Sequence, residues 1–165
     1  MLFFHNDYNE CCHPEVLKKL IQSQSFQMGG YGEDESCNRA ASLIRKLCEN
    51  EQLAVHFLVG GTQANLTVIA AALRPHQAAI GAISAHINVH ETGAVEATGH
   101  KVLSLPSEDG KITAEQIRQA VEKHRNDESH EHIAQPKLVY LSNPTELGTI
   151  YSLAELTQIN NVDKT

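Results

Sequence analysis

Cysteine is sparse and unpatterned in this sequence. Cys11, Cys12, Cys37 and Cys48 form no CxxC, and a vicinal pair is a poor start for a disulfide framework. Reduced thiols and a cytoplasmic location are the expectation. No apolar run reaches the roughly 18–20 residues that a membrane span needs, and the opening MLFFHNDYNE is too short and too acidic for a signal peptide. Basic charge is also scarce. Lys and Arg number 13 against 20 Asp and Glu, for a formal net charge of -7, and the bases are scattered. Neither nucleic acid nor a membrane is therefore expected as a partner. HExxH, a P-loop and a dinucleotide fingerprint are absent, as are internal repeats and low-complexity blocks.

What remains is globular. The 165 residues are 41% apolar and 20% charged, enough for one domain with a core and unlike a disordered chain. Pro14 followed by EVLKKLIQS predicts a helix with Leu17, Leu20 and Ile21 on one face. EDESCNRAASLIRKLCEN predicts a second, with Ala40, Leu43, Ile44 and Leu47 at helical spacing, acids first and bases later.

From there the pattern alternates. LAVHFLV reads as a strand and Gly60-Gly61 as a tight turn; TQANLTVIAAAL reads as a buried helix that Thr62 would cap. AAIGAI and KVLSLP read as strands separated by a polar stretch, 86–98. A helix follows from Thr113, with Gln116 completing a capping box. HRNDESHEHIAQP is polar and reads as a surface loop before the strand KLVYLS. NPTELGTIY then reads as an irregular loop, and Ser152 with Glu155 forms a second capping box. Strands alternating with helices imply an α/β fold with a parallel sheet. The last helix has barely begun at Thr165, with Ile159 and Val162 lacking core partners, so the architecture is expected to be incomplete.

Five places carry residues suited to chemistry. In VGGTQAN, glycines after a strand admit close backbone approach, and the following helix offers free amides to an anion such as phosphate; a plain tight turn is the alternative. His86 and His90 in HINVHETGA are four apart and Glu91 adjoins them, a spacing that two metal ligands could use. The acid follows the second histidine, however, and no third ligand suggests itself, so no metal is expected. A histidine can also stack flat on a planar ligand, which suits His86. Tyr31 lies in the glycine-rich GGYGEDES, where its phenol could reach a ligand or merely occupy a helix-entry turn. Asn143 follows an apolar strand directly, at the edge where open α/β sheets bind ligands, although an Asn-Pro turn would also explain it. His130 and His132 sit in the polar loop, where spacing assigns them no role.

Taken in order, NDY, GYGEDE, HFLVGGTQAN, HINVHETGA and SNPTELGTIY resemble the threonine aldolase-like, β-eliminating lyase family of fold-type I enzymes that use pyridoxal 5'-phosphate (PLP). The likeness runs from about residue 5 to residue 156. It implies a three-layer α/β/α fold with a parallel-rich sheet. Residues 1–165 would form one incomplete large domain, with 1–50 as an N-terminal helical arm and 51–165 as the start of the sheet domain. It implies that Gly60, Gly61 and Thr62 hold the cofactor phosphate, that His86 stacks on the pyridine ring and that Asn143 lies near the ring oxygen. Tyr31 and Glu91 would belong to the substrate or partner-subunit side, and His132 would match a substrate-side histidine. His86 or His132 would take the proton of the substrate's β-hydroxyl.

The implied activity is a carbon-carbon lyase cleaving β-hydroxy amino acids to glycine and an aldehyde. The implied partners are a small amino-acid substrate and copies of the same chain, as a dimer or tetramer. The family's acid-bearing strand motif and its cofactor-binding lysine have no counterpart in the sequence, and Lys164 matches no family position, so the chain is expected to be inactive alone. β-Elimination, a non-catalytic phosphate- or PLP-binding α/β protein, and a metal hydrolase built on His86, His90 and Glu91 are the competing readings.

Overall fold

The computed structural model describes residues 6, 8 and 10–162; Asp7 of the NDY motif and Lys164 lie outside the described residues. The chain divides into two compact units, 1–57 and 58–165.

In the first unit, α1 (Pro14–Ser23) opens with proline in its first turn, and the His13 imidazole accepts the Glu15 amide at 3.2 Å. Its Leu17, Leu20 and Ile21 share a face, and all three are exposed. Helix α2 (Glu35–Leu47) starts at Asp34, whose carboxylate accepts the Cys37 amide at 3.0 Å, and ends with Arg45 and Lys46 at its negative pole. The four cysteines are free thiols.

Residues 53–59, expected as a strand, pair with no described strand. β-Branched and aromatic residues favour a pleated surface where a neighbour supplies the hydrogen-bonded edge, and none of the described residues does so here.

The second unit runs α3 (Gly61–Ala72), β1 (Gln77–Ala82), α4 (His86–Val89), β2 (Lys101–Leu105), α5 (Ala114–Asn126), β3 (Gln135–Val139) and α6 (Leu153–Asn160). Short 3-10 turns lie at Glu96–Thr98 and His130–His132. The sheet order is β2-β1-β3 and both pairings are parallel, giving the expected α/β architecture. Central β1 is covered on both faces, which explains its continuous run of small and aliphatic residues. Ile80 pairs with Leu103 on one side and Val139 on the other. The β1–β3 register slips between Ala78 and Ala79, opposite Pro136, which has no amide hydrogen to donate.

Ile69, Ala79, Ile80, Ile87, Ile112 and Ile117 form the heart of the core. Two expectations need correction. Helix α3 is not a buried helix: it contributes Ile69 to the core while Thr67, Val68, Ala70 and Ala71 are exposed. Ile159 and Val162 do not lack partners, since both pack against the core.

The capping boxes hold α5 and α6. Thr113 and Gln116 exchange bonds at one helix start and Ser152 and Glu155 at the other. Because the strands are parallel, the segments that follow them emerge at one edge. There Tyr151 Oη accepts the Ile112 amide at 2.8 Å, and Thr149 Oγ1 donates to the Asp109 carbonyl at 2.6 Å. These bonds stitch the loop after β3 to the loop after β2.

Candidate active site

The start of α3 is open. Its N-cap is Gly60, extended and without a side-chain cap, so Thr62 lies inside the first turn instead of capping it as expected. A helix N-terminus leaves its first amides without intrahelical acceptors, and Gly60, Gly61 and Thr62 are all exposed. Among the described residues, leaving out chain neighbours and the helix's own backbone, no heavy atom lies within 4 Å of where a Cβ would stand on Gly60 or Gly61. Such a turn can receive an anion.

One helical turn further, at the spacing that keeps residues on one face, Asn65 donates through Nδ2 to Glu91 Oε1 at 2.6 Å. The same oxygen lies 3.0 Å from His86 Nδ1. The Glu91 side chain has no solvent exposure, whereas that of His86 keeps 38%. A buried carboxylate therefore joins the first turns of α3 to α4, which follows β1. Its second oxygen, Oε2, is buried with no hydrogen-bond partner among the described residues.

His90, at the end of α4, stands with its ring centroid 5.5 Å from that of His86, tilted by 52°. Its Nε2 lies 4.0 Å from Glu146 Oε2 in the loop after β3, where Ser142 Oγ also donates to Glu146 at 3.3 Å. Ser84, Tyr140, Ser142 and Glu146 border a cavity of about 10 Å³, into which the buried Ser84 hydroxyl brings no partner of its own. That is space for roughly one water.

Asn143 is in the same loop, joined to Pro144 by a cis peptide bond, and its Oδ1 accepts the Tyr151 amide at 3.1 Å. His132 is elsewhere. It precedes β3 while Asn143 follows it, which puts His132 at the opposite edge of the sheet from His86, about 15 Å or more along the strand direction. Tyr31, in the first unit, is fully exposed with a positive φ of 65°.

Of the residues singled out in the sequence, the fold thus gathers Gly60, Gly61, Thr62, His86 and Glu91 around the start of α3. Asn143 joins the same sheet edge. Asn65 was missed, although it ends the motif GGTQAN; an amide inside an apolar helix was its only signal. A concavity of about 390 Å³ along β3, bounded by Val121, His124, Leu138 and Val162 among others, shares none of these residues.

The chain is thus a parallel α/β sheet whose C-terminal edge, where open α/β sheets place their ligands, carries an uncapped helix start and a buried carboxylate bonded to a partly exposed imidazole. Residues 20–165 match the β-eliminating lyase family, and the chain belongs to it. It is 31% identical over 160 residues to the low-specificity L-threonine aldolases of a Pseudomonas species and of Pseudomonas aeruginosa, covering 96% of this chain and 44% of theirs. It also superposes on the solved structure of Leishmania major threonine aldolase with a TM-score of 0.88 and 46% identity, over 93% of this chain and 44% of that one. The chain therefore spans less than half the length of these relatives.

Proposed function

We propose that this chain carries the phosphate-binding and ring-facing part of a PLP-dependent carbon-carbon lyase, one that cleaves β-hydroxy amino acids such as L-threonine to glycine and an aldehyde. The carrying observation is the open first turn of α3 set beside the His86–Glu91 pair, in a chain so similar to threonine aldolases.

The residues fit the cofactor. Amides of Gly61 and Thr62 point from an uncapped helix start, with Gly60 leaving room for a phosphate, and the half-exposed His86 ring is pinned on one side only. When bound, PLP supplies the electron sink that permits cleavage at the α-carbon of an amino acid. The chain's own residues do the rest. Gly60, Gly61 and Thr62 anchor the phosphate, the His86 ring covers a planar face, and Glu91 holds that ring in place. Asn143, fixed by its bond to Tyr151, stays at the rim toward the ring oxygen. His86 Nε2 receives the proton of the substrate hydroxyl. His132, at the far edge of the sheet, would reach a substrate only in another copy's site, and Tyr31 would serve from a partner subunit; both roles require a homo-oligomer. The family's cofactor-binding lysine has no counterpart in the 165 residues, so this stretch alone does not turn over substrate.

The test is a graft. The 165 residues replace the segment they match in the Leishmania major enzyme, and the chimera is given PLP and L-threonine. Equimolar glycine and acetaldehyde are expected. Ammonia and 2-oxobutyrate would mark elimination instead, and a folded chimera without either activity would overturn the reading. With the 165 residues alone, PLP and borohydride should leave no cofactor mass at any defined lysine.

A further inference from the structure

Among the residues of α3, Asn65 alone sends its side chain to the His86–Glu91 pair. We infer that Asn65 and Glu91 are positioning residues that lock His86 in the tautomer carrying its proton on Nδ1, leaving Nε2 as an outward-facing hydrogen-bond acceptor. This deepens the proposed function and rests on His86 being the ring that faces cofactor and substrate.

The chemistry of the contacts carries the inference. An ionised carboxylate only accepts hydrogen bonds, so the nitrogen 3.0 Å from Glu91 Oε1 must hold the proton. Neutral histidine otherwise favours the proton on Nε2, so the contact reverses its intrinsic preference. The Asn65 amide can satisfy the same oxygen only through its NH₂ group, which fixes the orientation of Asn65 as well. Both donors converge on Oε1, while Oε2 has none among the described residues. The rotamer of this solvent-free carboxylate consequently depends on two bonds, and one of them belongs to Asn65.

The position of Asn65 links two parts of the site. It lies four residues after Gly61, on the face of α3 that begins with the open amides. A ligand anchored at those amides and His86 would thus be referred to the same helix. The ligand feature selected at Nε2 is a donor, such as the hydroxyl of a β-hydroxy amino acid. A proton leaving that oxygen becomes the Nε2–H, and the resulting imidazolium keeps its Nδ1–H on the Glu91 carboxylate, so the charge is paired where it forms.

The experiment is nitrogen NMR of the protein labelled with ¹⁵N-histidine, with His86 assigned by His86→Gln and the spectra taken where the ring is neutral. A protonated Nδ1 and an unprotonated Nε2 are expected. Asn65→Leu should lose this dominance in favour of the Nε2–H form, while Asn65→Gln, which keeps an amide donor, should largely retain it. If Asn65→Leu fails to fold, Asn65→Ala withdraws the donor with less bulk and carries the same expectation. A wild-type His86 protonated on Nε2, or a tautomer indifferent to Asn65, would overturn the clamp. In the chimera, Asn65→Leu should lower kcat by about tenfold or more with little change in KM. An inactive chimera with the tautomer intact would refute the lyase reading and leave the clamp standing; an active one with the wrong tautomer would do the reverse.

Discussion

A Cβ on Gly110 would lie 2.6 Å from Thr145 Oγ1 and 2.8 Å from Thr145 Cβ, so the loops after β2 and β3 nest only because position 110 has no side chain. Gly110 also has φ of +87°, a conformation that costs an L-residue about 1–2 kcal/mol. Gly110→Ala should therefore destabilise the protein by about 2 kcal/mol or more, with clash and backbone strain acting together. Thermal melting checks it, and Thr145→Gly in the same chain should recover part of the loss. An unchanged melting temperature would mean that the two loops are not nested in this way.

Tyr151 provides a second test of that junction. Its hydroxyl oxygen accepts the buried Ile112 amide at 2.8 Å, and burial pushes its phenol pKa above the ordinary value. Tyr151→Phe keeps the ring and removes the acceptor, which costs about 1–3 kcal/mol when a buried amide is left unpaired. Hydrogen exchange should show the Ile112 amide losing protection; protection equal to wild type would contradict the bond.

Lys111 and Glu155 set an acid limit. Their 2.7 Å contact, helped by the Ser152 bonds, lowers the Glu155 pKa from the ordinary 4.5 to about 2, and the same contact raises Lys111 above 10.5. A depressed carboxyl contributes stability that is fully present above pH 4.5 and fades as pH falls toward about 2. A raised ammonium contributes below 10.5 and fades as pH climbs past it. The difference in melting temperature between wild type and Lys111→Met should be level between these limits and shrink outside them. Because both groups meet solvent, the difference should be small and should narrow further in high salt. A difference that grows below pH 4 would contradict the pairing.

The two duties proposed for His86, covering a planar face and accepting a proton, are separable by substitution. In the chimera, His86→Phe keeps a flat ring and should keep PLP affinity while lowering aldol cleavage by about a hundredfold, since a proton acceptor is lost. His86→Ala should weaken both. Equal turnover in His86→Phe and wild type, followed by aldehyde release, would remove the histidine from the chemistry.

Much of the fold was legible because it is locally encoded. The boxes Thr113/Gln116 and Ser152/Glu155 announce helix starts within four residues, and the small-residue run of β1 announces a strand covered on both faces. Residues 53–59 misled because a strand also needs a partner, which local composition does not report. At the site, the glycines before α3 and the HINVHE motif drew attention for their chemistry. Asn65 did not, since its partner Glu91 lies 26 positions away and only folding brings them to 2.6 Å. His132 resembles His86 in residue type, yet strand direction sends them to opposite edges, a distinction that spacing cannot reveal.

The most direct test of the central claim, that the open turn at Gly60, Gly61 and Thr62 binds the phosphate of a cofactor lying against His86, is calorimetric titration of the protein with PLP and, in parallel, with pyridoxal. Charge-assisted bonds from the helix start predict that the phosphorylated form binds at least about tenfold more tightly. Equal affinities, or a preference that survives closing the turn with Gly61→Val, would place the phosphate elsewhere and contradict the account.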